Sequence, residues 1–199
     1  MDKAMKRFFL LLINLLPLAA CLHAQMIATG YHGMVEGGYS LNTGGTISVN
    51  WTEINTIHGY QATPNLFIGA GVGFHFMPEF KGTEIDGKPN WKRDSKMEIP
   101  LFADFRYTIL NKRITPYLDL RLGHNVSNGS GMYSSLGAGC RFALKNRQAI
   151  YAMASYTSHK LTFEESYMIT GGRNYSYSWA YKDFEENQSA VSFKIGFEF

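Results

Sequence analysis

Residues 191–199 read VSFKIGFEF, in which every second residue is apolar and the residues between are polar or glycine. A repeat of two is the period of a β-strand, so the apolar side chains share one face and the others share the opposite face. The same alternation is clear in five more segments, 29–41, 66–77, 97–109, 114–124 and 132–144. It is weaker in two others, 46–60 and 149–162. The sequence therefore predicts an all-β protein of about eight strands.

The segment 46–60 is the more irregular of the two weak ones. Its alternation holds as far as Trp51, after which Glu53 and Asn55 fall on the apolar face. We expect either a β-bulge, which would restore the alternation, or a rim position above the apolar zone.

The connections between the segments alternate in length. Tight turns are expected at 62–65, 111–113 and 145–148, and longer loops at 78–96, 124–131 and 163–189. The short first connection, 42–45, departs from this rule. Short turns at one end and longer loops at the other are typical of membrane-spanning barrels, whose turns lie on the periplasmic side.

The polar faces of the strands carry most of the charge outside the loops. Five acids and four bases form a candidate lumen charge network: Glu36, Glu98, Asp104, Arg106, Asp119, Arg121, Arg141, Lys194 and Glu198. Alternation alone would also suit a soluble barrel with its apolar face inside. However, aromatic residues cluster near the ends of the apolar faces, as in the girdles at membrane interfaces: Tyr31, Tyr39, Trp51, Tyr107, Phe197 and Phe199. We therefore predict an eight-stranded antiparallel up-and-down transmembrane β-barrel.

The first residues resemble an export signal rather than part of the barrel. Lys3, Lys6 and Arg7 precede an apolar stretch at 8–16 that is too short to span a bilayer, and cleavage is expected after Ala24. The predicted domains are a signal peptide at 1–24 and an outer-membrane barrel at 25–199. A lipoprotein is the open alternative, because residues 18–21 read LAAC and Cys21 would then carry the lipid.

Composition argues against several other classes of protein. The formal net charge is +3, and removing residues 1–24 with three bases and one acid leaves about +1, so nucleic acid is not an expected partner. The six histidines show no metal-ligand spacing. The glycines of Gly69-Ala70-Gly71-Val72-Gly73 repeat every two residues, unlike a dinucleotide loop. We expect no metal, no cofactor and no catalytic residues.

Three functions stay open at this point. The lumen charges suggest a side-chain-filled plug, with a narrow gated channel for water or small ions as the alternative. A lipid A-modifying enzyme is the third, with His124, His159 and Ser155 as its only candidates. The loops at 78–96 and 163–188, rich in charge and aromatics, are candidate contacts for an extracellular ligand or surface partner.

The segment 191–199 resembles the terminal strand by which the outer-membrane assembly machinery recognises its clients. Residues 58–61 and 66–74 also resemble the second turn and third strand of the small outer-membrane β-barrel domain proteins of Gram-negative bacteria, similar in size to the OmpA and OmpX barrels. This resemblance implies a monomer in the outer membrane that contacts its lipid. It also implies that four residues form the assembly signal: Phe193, Ile195, Phe197 and Phe199.

Overall fold

A computed structural model describes residues 27–44, 49–81, 84–85, 88–89, 91–110, 112–127, 131–144, 147–170 and 177–199. The expected signal peptide at 1–24 and the alternative lipid site at Cys21 lie outside these residues, so both stay predictions. None of the described residues belongs to a helix long and apolar enough to cross a membrane.

Eight long strands make up the barrel: β1 Gly30–Gly44, β2 Trp51–Thr63, β3 Leu66–Met77, β4 Pro100–Thr108, β5 Ile114–Asn125, β6 Met132–Ala143, β7 Ala149–Thr170 and β8 Tyr177–Glu198. Each pairs antiparallel with its neighbour in the chain. The last strand pairs with the first, with Glu36 opposite Gly196, and this pairing closes the sheet. The predicted all-β, eight-stranded up-and-down barrel is confirmed.

The alternation of side chains along the strands gives the barrel an apolar outside and a polar inside. On β5, Leu118, Leu120 and Leu122 are exposed, whereas Asp119 and Arg121 between them are buried. This polarity is the reverse of that in a water-soluble protein, where large exposed apolar patches are rare. The outer wall is therefore a surface suited to lipid.

The prediction of a bulge or rim position on β2 is wrong. The pairing of β1 with β2 runs without a shift from Gly30 opposite Gln61 to Ser40 opposite Trp51. Trp51 is only 1% exposed and points into the barrel in phase with Glu53 and Asn55, so it is not part of an aromatic girdle. The polar side chains of β2 find their partners inside the barrel, and this decides which residues of the strand point inward. Trp51 points inward with them and packs against the rings of two histidines, His75 and His159.

The connection predicted as a loop at 163–189 is mostly strand. Strands β7 and β8 pair continuously from Ala149 opposite Glu198 to Thr170 opposite Tyr177. Among the described residues, β6 accompanies β7 as far as His159, and β1 accompanies β8 as far as Ser189. The hairpin therefore projects beyond the barrel by the length of residues 160–170, about 35 Å at ~3.3 Å per residue.

Part of the predicted 78–96 loop joins this hairpin. The short strands Phe80–Lys81 and Trp91–Arg93 pair with each other, and Trp91–Arg93 pairs with β7 at Glu164 and Glu165. A further short strand, Lys96–Glu98, continues along β3. We call the projecting part of the hairpin, residues 160–170 and 177–188, together with Phe80–Lys81 and Trp91–Arg93, the outer sheet.

Candidate functional site

The guanidinium of Arg121 lies at the centre of the lumen among three carboxylates. Its two terminal nitrogens donate to the two oxygens of Glu36, with 3.0 Å between Nη2 and Oε2. Its Nε lies 2.9 Å from Asp119 Oδ1 and 3.2 Å from Asp104 Oδ2. The side chains come from β1, β4 and β5, so this cluster ties opposite walls of the barrel together.

A second guanidinium, that of Arg106, extends this central cluster. Its Nη2 lies 3.0 Å from Asp119 Oδ2, and its Nε donates to the same oxygen at 3.1 Å. The guanidinium carbon lies 4.5 Å from the ring centre of Tyr117 and 4.6 Å from that of Tyr151. Tyr151 Oη in turn donates to Glu36 Oε2 at 2.9 Å. Charges and rings thus fill the lumen at one level.

The turn end of the lumen is held by Glu198. Its carboxylate accepts two hydrogen bonds from Arg141, at 2.7 Å from Nε and 2.8 Å from Nη2. The Nδ1 atom of His32 lies 2.9 Å from Glu198 Oε1. This cluster joins β6 to the seam between β1 and β8.

Nearer the loop end, Glu53 is the centre of a cluster that the sequence reasoning missed. Lys194 Nζ lies 3.1 Å from its Oε2, and Ser40 Oγ donates to its Oε1 at 2.8 Å. His75 Nε2 lies 3.3 Å from Glu53 Oε2. The signal was present in the sequence, because Glu53 is two residues from Asn55 and both share the phase of the lumen face.

Glu98 completes the upper part of the lumen. Its Oε2 accepts hydrogen bonds from Asn125 Nδ2 and, at 2.9 Å, from Ser127 Oγ. The structure therefore places all nine residues of the candidate charge network inside the barrel, and every one of them is at least nine-tenths buried. Five of them form the central cluster, two lie at the turn end, and Lys194 and Glu98 lie nearer the loops.

Large side chains occupy the space between these clusters. The fully buried ones include Trp51, Phe67, Tyr117, Tyr133 and Tyr151. An eight-stranded barrel is only just wide enough for side chains to fill its interior. Chemically, this arrangement pairs buried charges with one another and obstructs the lumen. Among the described residues, the carboxylate of Asp104 has its ion pair with Arg121 at 3.2 Å but no hydrogen bond.

The three enzyme candidates are not brought together. Ser155 and His159 are buried inside the barrel, whereas His124 is exposed on the outer wall. A nucleophile and its base must lie within hydrogen-bond reach of one another. Among the described residues, no group of three or more histidines, cysteines or carboxylates is arranged to hold a metal ion.

The apolar residues of the segment 191–199 face outward. Phe193, Ile195, Phe197 and Phe199 are all exposed on the lipid-facing wall. Their recognition by the assembly machinery stays a prediction. Five of the six expected girdle residues are also exposed, since only Trp51 points inward.

No protein-family model matches the chain, and no curated protein matches it either. Among solved structures, neisserial surface protein A (NspA) is 14% identical, with a TM-score of 0.55 over 85% of this chain and 96% of that one. A major outer membrane protein of Thermus thermophilus is 12% identical (TM-score 0.49, 85% of this chain and 98% of that one). The β domain of the Bordetella autotransporter BrkA is 12% identical (TM-score 0.33, 85% and 99%).

The likeness to the neisserial protein concerns the fold. It agrees with the closed eight-stranded sheet described above. The chain has the fold of the small outer-membrane β-barrels.

Proposed function

We propose that this chain is a monomeric barrel of the Gram-negative outer membrane, with a side-chain-filled lumen, that contacts an extracellular partner through its outer sheet. The observation that carries the proposal is the hairpin of β7 and β8, which continues well past the ends of the other strands. Phe184 packs against the buried cluster of Val49, Trp51, Met77 and Ala190 at the loop end of the barrel. The strands beyond Phe184 take no part in the closing pairs of the sheet, so they call for a role outside the membrane.

The filled lumen supports an interaction role over conduction. Arg121 and its three carboxylate partners are buried, and each carboxylate forms an ion pair with the guanidinium. Moving them aside would leave charges unpaired in a confined space, which is costly. We therefore expect no steady ion conductance through the wild-type barrel.

Among the described strands, β8 forms the edge of the outer sheet. From Tyr177 to Gln188, the described pairings of β8 are with β7 alone. The backbone N–H and C=O groups along the edge of a sheet are a template for an additional strand. An extended polypeptide segment is the kind of partner that this edge fits.

The charge of the edge strand specifies that partner further, although acids and bases are equal in number, five each, over the whole outer sheet. From Tyr177 to Gln188 this strand carries three acids, Asp183, Glu185 and Glu186, against one base, Lys182. Opposite charges on neighbouring strands stabilise their pairing. We infer that the partner segment carries net positive charge.

A binding experiment with the full chain tests this function. In the variant, residues 164–183 are replaced by an Asn-Gly turn that joins Phe163 to Phe184, which are opposite each other in the hairpin. The probes are an immobilised peptide of alternating lysine and threonine and its glutamate counterpart. We expect the wild-type chain to bind the lysine peptide alone and the shortened variant to bind neither.

Two controls accompany it. Heat-modifiable migration in detergent shows that each variant forms a closed barrel, and a water-soluble monomer would contradict the proposal. In planar bilayers, discrete openings of the wild-type chain that change on Arg121→Ala would show a channel instead of a plug. Equal binding of both peptides, or none, would refute the contact role of the outer sheet.

A further inference from the structure

A small polar cluster lies on the outer wall of the barrel, away from the lumen. His58 of β2 faces outward, and its Nδ1 lies 2.5 Å from the hydroxyl of Tyr31 on β1. Its other ring nitrogen, Nε2, lies 3.0 Å from the hydroxyl of Thr56. The rings of Tyr31 and His58 are stacked, with centres 6.1 Å apart and planes at 21°. Both imidazole nitrogens are thus held by hydroxyl groups.

The cluster lies at the level of a membrane interface. His58 is five residues from Thr63, where β2 enters the short turn to β3. At ~3.3 Å per residue and a tilt of ~40°, it lies about 13 Å above the turn. Tyr31 lies opposite Tyr60, and these rings are 63% and 58% exposed. Exposed tyrosines of this kind mark the head-group level of a bilayer.

An ionisable residue on this wall is unusual in its surroundings. On the neighbouring strand β3, Ala70 lies directly opposite His58 and Ile68 is the next outward-facing residue, and both are apolar. At the head-group level, polar side chains on an otherwise apolar wall face the polar parts of the lipids. The cluster therefore calls for a polar ligand at the bilayer surface.

The hydrogen-bond arrangement defines the chemistry of that ligand. With one N–H, the imidazole donates from one ring nitrogen to a hydroxyl oxygen and accepts from the other hydroxyl at its second nitrogen. The hydroxyl that accepts the ring N–H can donate its own O–H outward. A hydrogen bond from an O–H to an ionised phosphate oxygen is charge-assisted, so this donor suits a phosphate group.

We propose that Tyr31, His58 and Thr56 bind the phosphodiester of a glycerophospholipid in the leaflet at the turn end of the barrel. The proposal rests on the membrane placement given under the proposed function, but not on the outer sheet. The lipid supplies the phosphate at the height of the cluster, and its acyl chains lie along the apolar wall above.

Native mass spectrometry of the full chain, released from neutral detergent, tests the site. The probes are dioleoyl phosphatidylglycerol and dioleoylglycerol, which share their acyl chains and differ in the phosphate-bearing head group. We expect the wild type to retain the phosphate-bearing lipid, and His58→Leu to retain about tenfold less, as for the loss of one charge-assisted hydrogen bond. His124→Leu is the matched control, because His124 is an exposed outward histidine at the loop end.

A second variant keeps the imidazole and removes only the hydroxyls. Tyr31→Phe combined with Thr56→Val should lower retention of phosphatidylglycerol without changing that of dioleoylglycerol. Equal retention of the two lipids by the wild type, or an equal loss in His58→Leu and His124→Leu, would overturn the site. A chain without heat-modifiable migration in detergent would overturn the membrane placement, whereas one that shows it but has no preference between the two lipids overturns the lipid site alone.

Discussion

Replacing Arg121 with alanine is the most direct test of how the lumen is stabilised. The guanidinium is fully buried and bonds to Glu36, Asp104 and Asp119. Removing one partner of a buried ion pair costs about 3–5 kcal/mol, because the remaining charge has no compensation. Arg106 still contacts Asp119 at 3.0 Å in the variant, which offsets part of the loss. We therefore expect the free energy of unfolding to decrease by about 3–5 kcal/mol, the cost of one broken ion pair, rather than by that amount for each of the three carboxylates.

The assay is equilibrium unfolding in urea of the full chain refolded into phosphatidylcholine vesicles. Trp51 is buried in the lumen and its fluorescence reports on unfolding. Adding Glu36→Gln to Arg121→Ala removes one of the unpaired carboxylates and should restore about 1–3 kcal/mol.

The control is an ion pair that is largely exposed. Lys81 Nζ lies 2.9 Å from Glu79 Oε1, and both side chains are about half exposed. Lys81→Ala should therefore change the free energy of unfolding by less than about 1 kcal/mol. If Arg121→Ala destabilises the barrel no more than this control does, the central cluster does not stabilise the fold and the reasoning fails.

Three further perturbations test other parts of the barrel. Gly38→Val should weaken the closing seam, because a Cβ there would lie 2.9 Å from the backbone carbonyl oxygen of Phe193 on β8; reduced heat-modifiable migration is the readout. Ala138→Arg places a cation on the lipid-facing wall and should cost about 2–4 kcal/mol in vesicle unfolding, with no cost contradicting the assignment of that face. Glu198→Gln weakens the bonds from Arg141 and should cost about 1.5–3 kcal/mol in the same assay, while an unchanged midpoint would exclude this cluster as a stabilising one.

The strands and their faces could be predicted where the two sides of the barrel wall differ in polarity. On β5, lipid on one side and charge on the other produce a strict alternation, and the predicted 114–124 differs from the observed Ile114–Asn125 by one residue. On β2, an inward-facing Trp51 looks like an outward-facing girdle residue, because a filled lumen also accepts aromatic rings. Glu53 and Asn55 indicated the correct inward-facing side of β2. An assignment that gave priority to polar and charged residues over the aromatic one would have found it.

The projecting hairpin could not be read from the same alternation. Both faces of its strands are exposed to solvent there. Glu164 and Glu165, which point to opposite faces, are therefore both exposed and charged. Without a polarity difference the period of two disappears, and the segment resembles a loop. The ion-pair partners in the lumen could not be predicted from the sequence either. Arg121 contacts Glu36 across the barrel, and this contact depends on how the strands are aligned, which alternation does not specify.

The seam between β1 and β8 has a consequence for how the chain reaches its final state. It brings Met34 opposite Glu198, so the closing contacts join residues that are among the most distant in the sequence. Contacts between residues so far apart in the sequence form slowly, since the chain segment that they close into a loop is long. Until they form, β1 and β8 each present an unpaired edge on which other chains can add. The barrel is therefore expected to fold late and cooperatively, and the interval before closure is when the chain is most prone to aggregation.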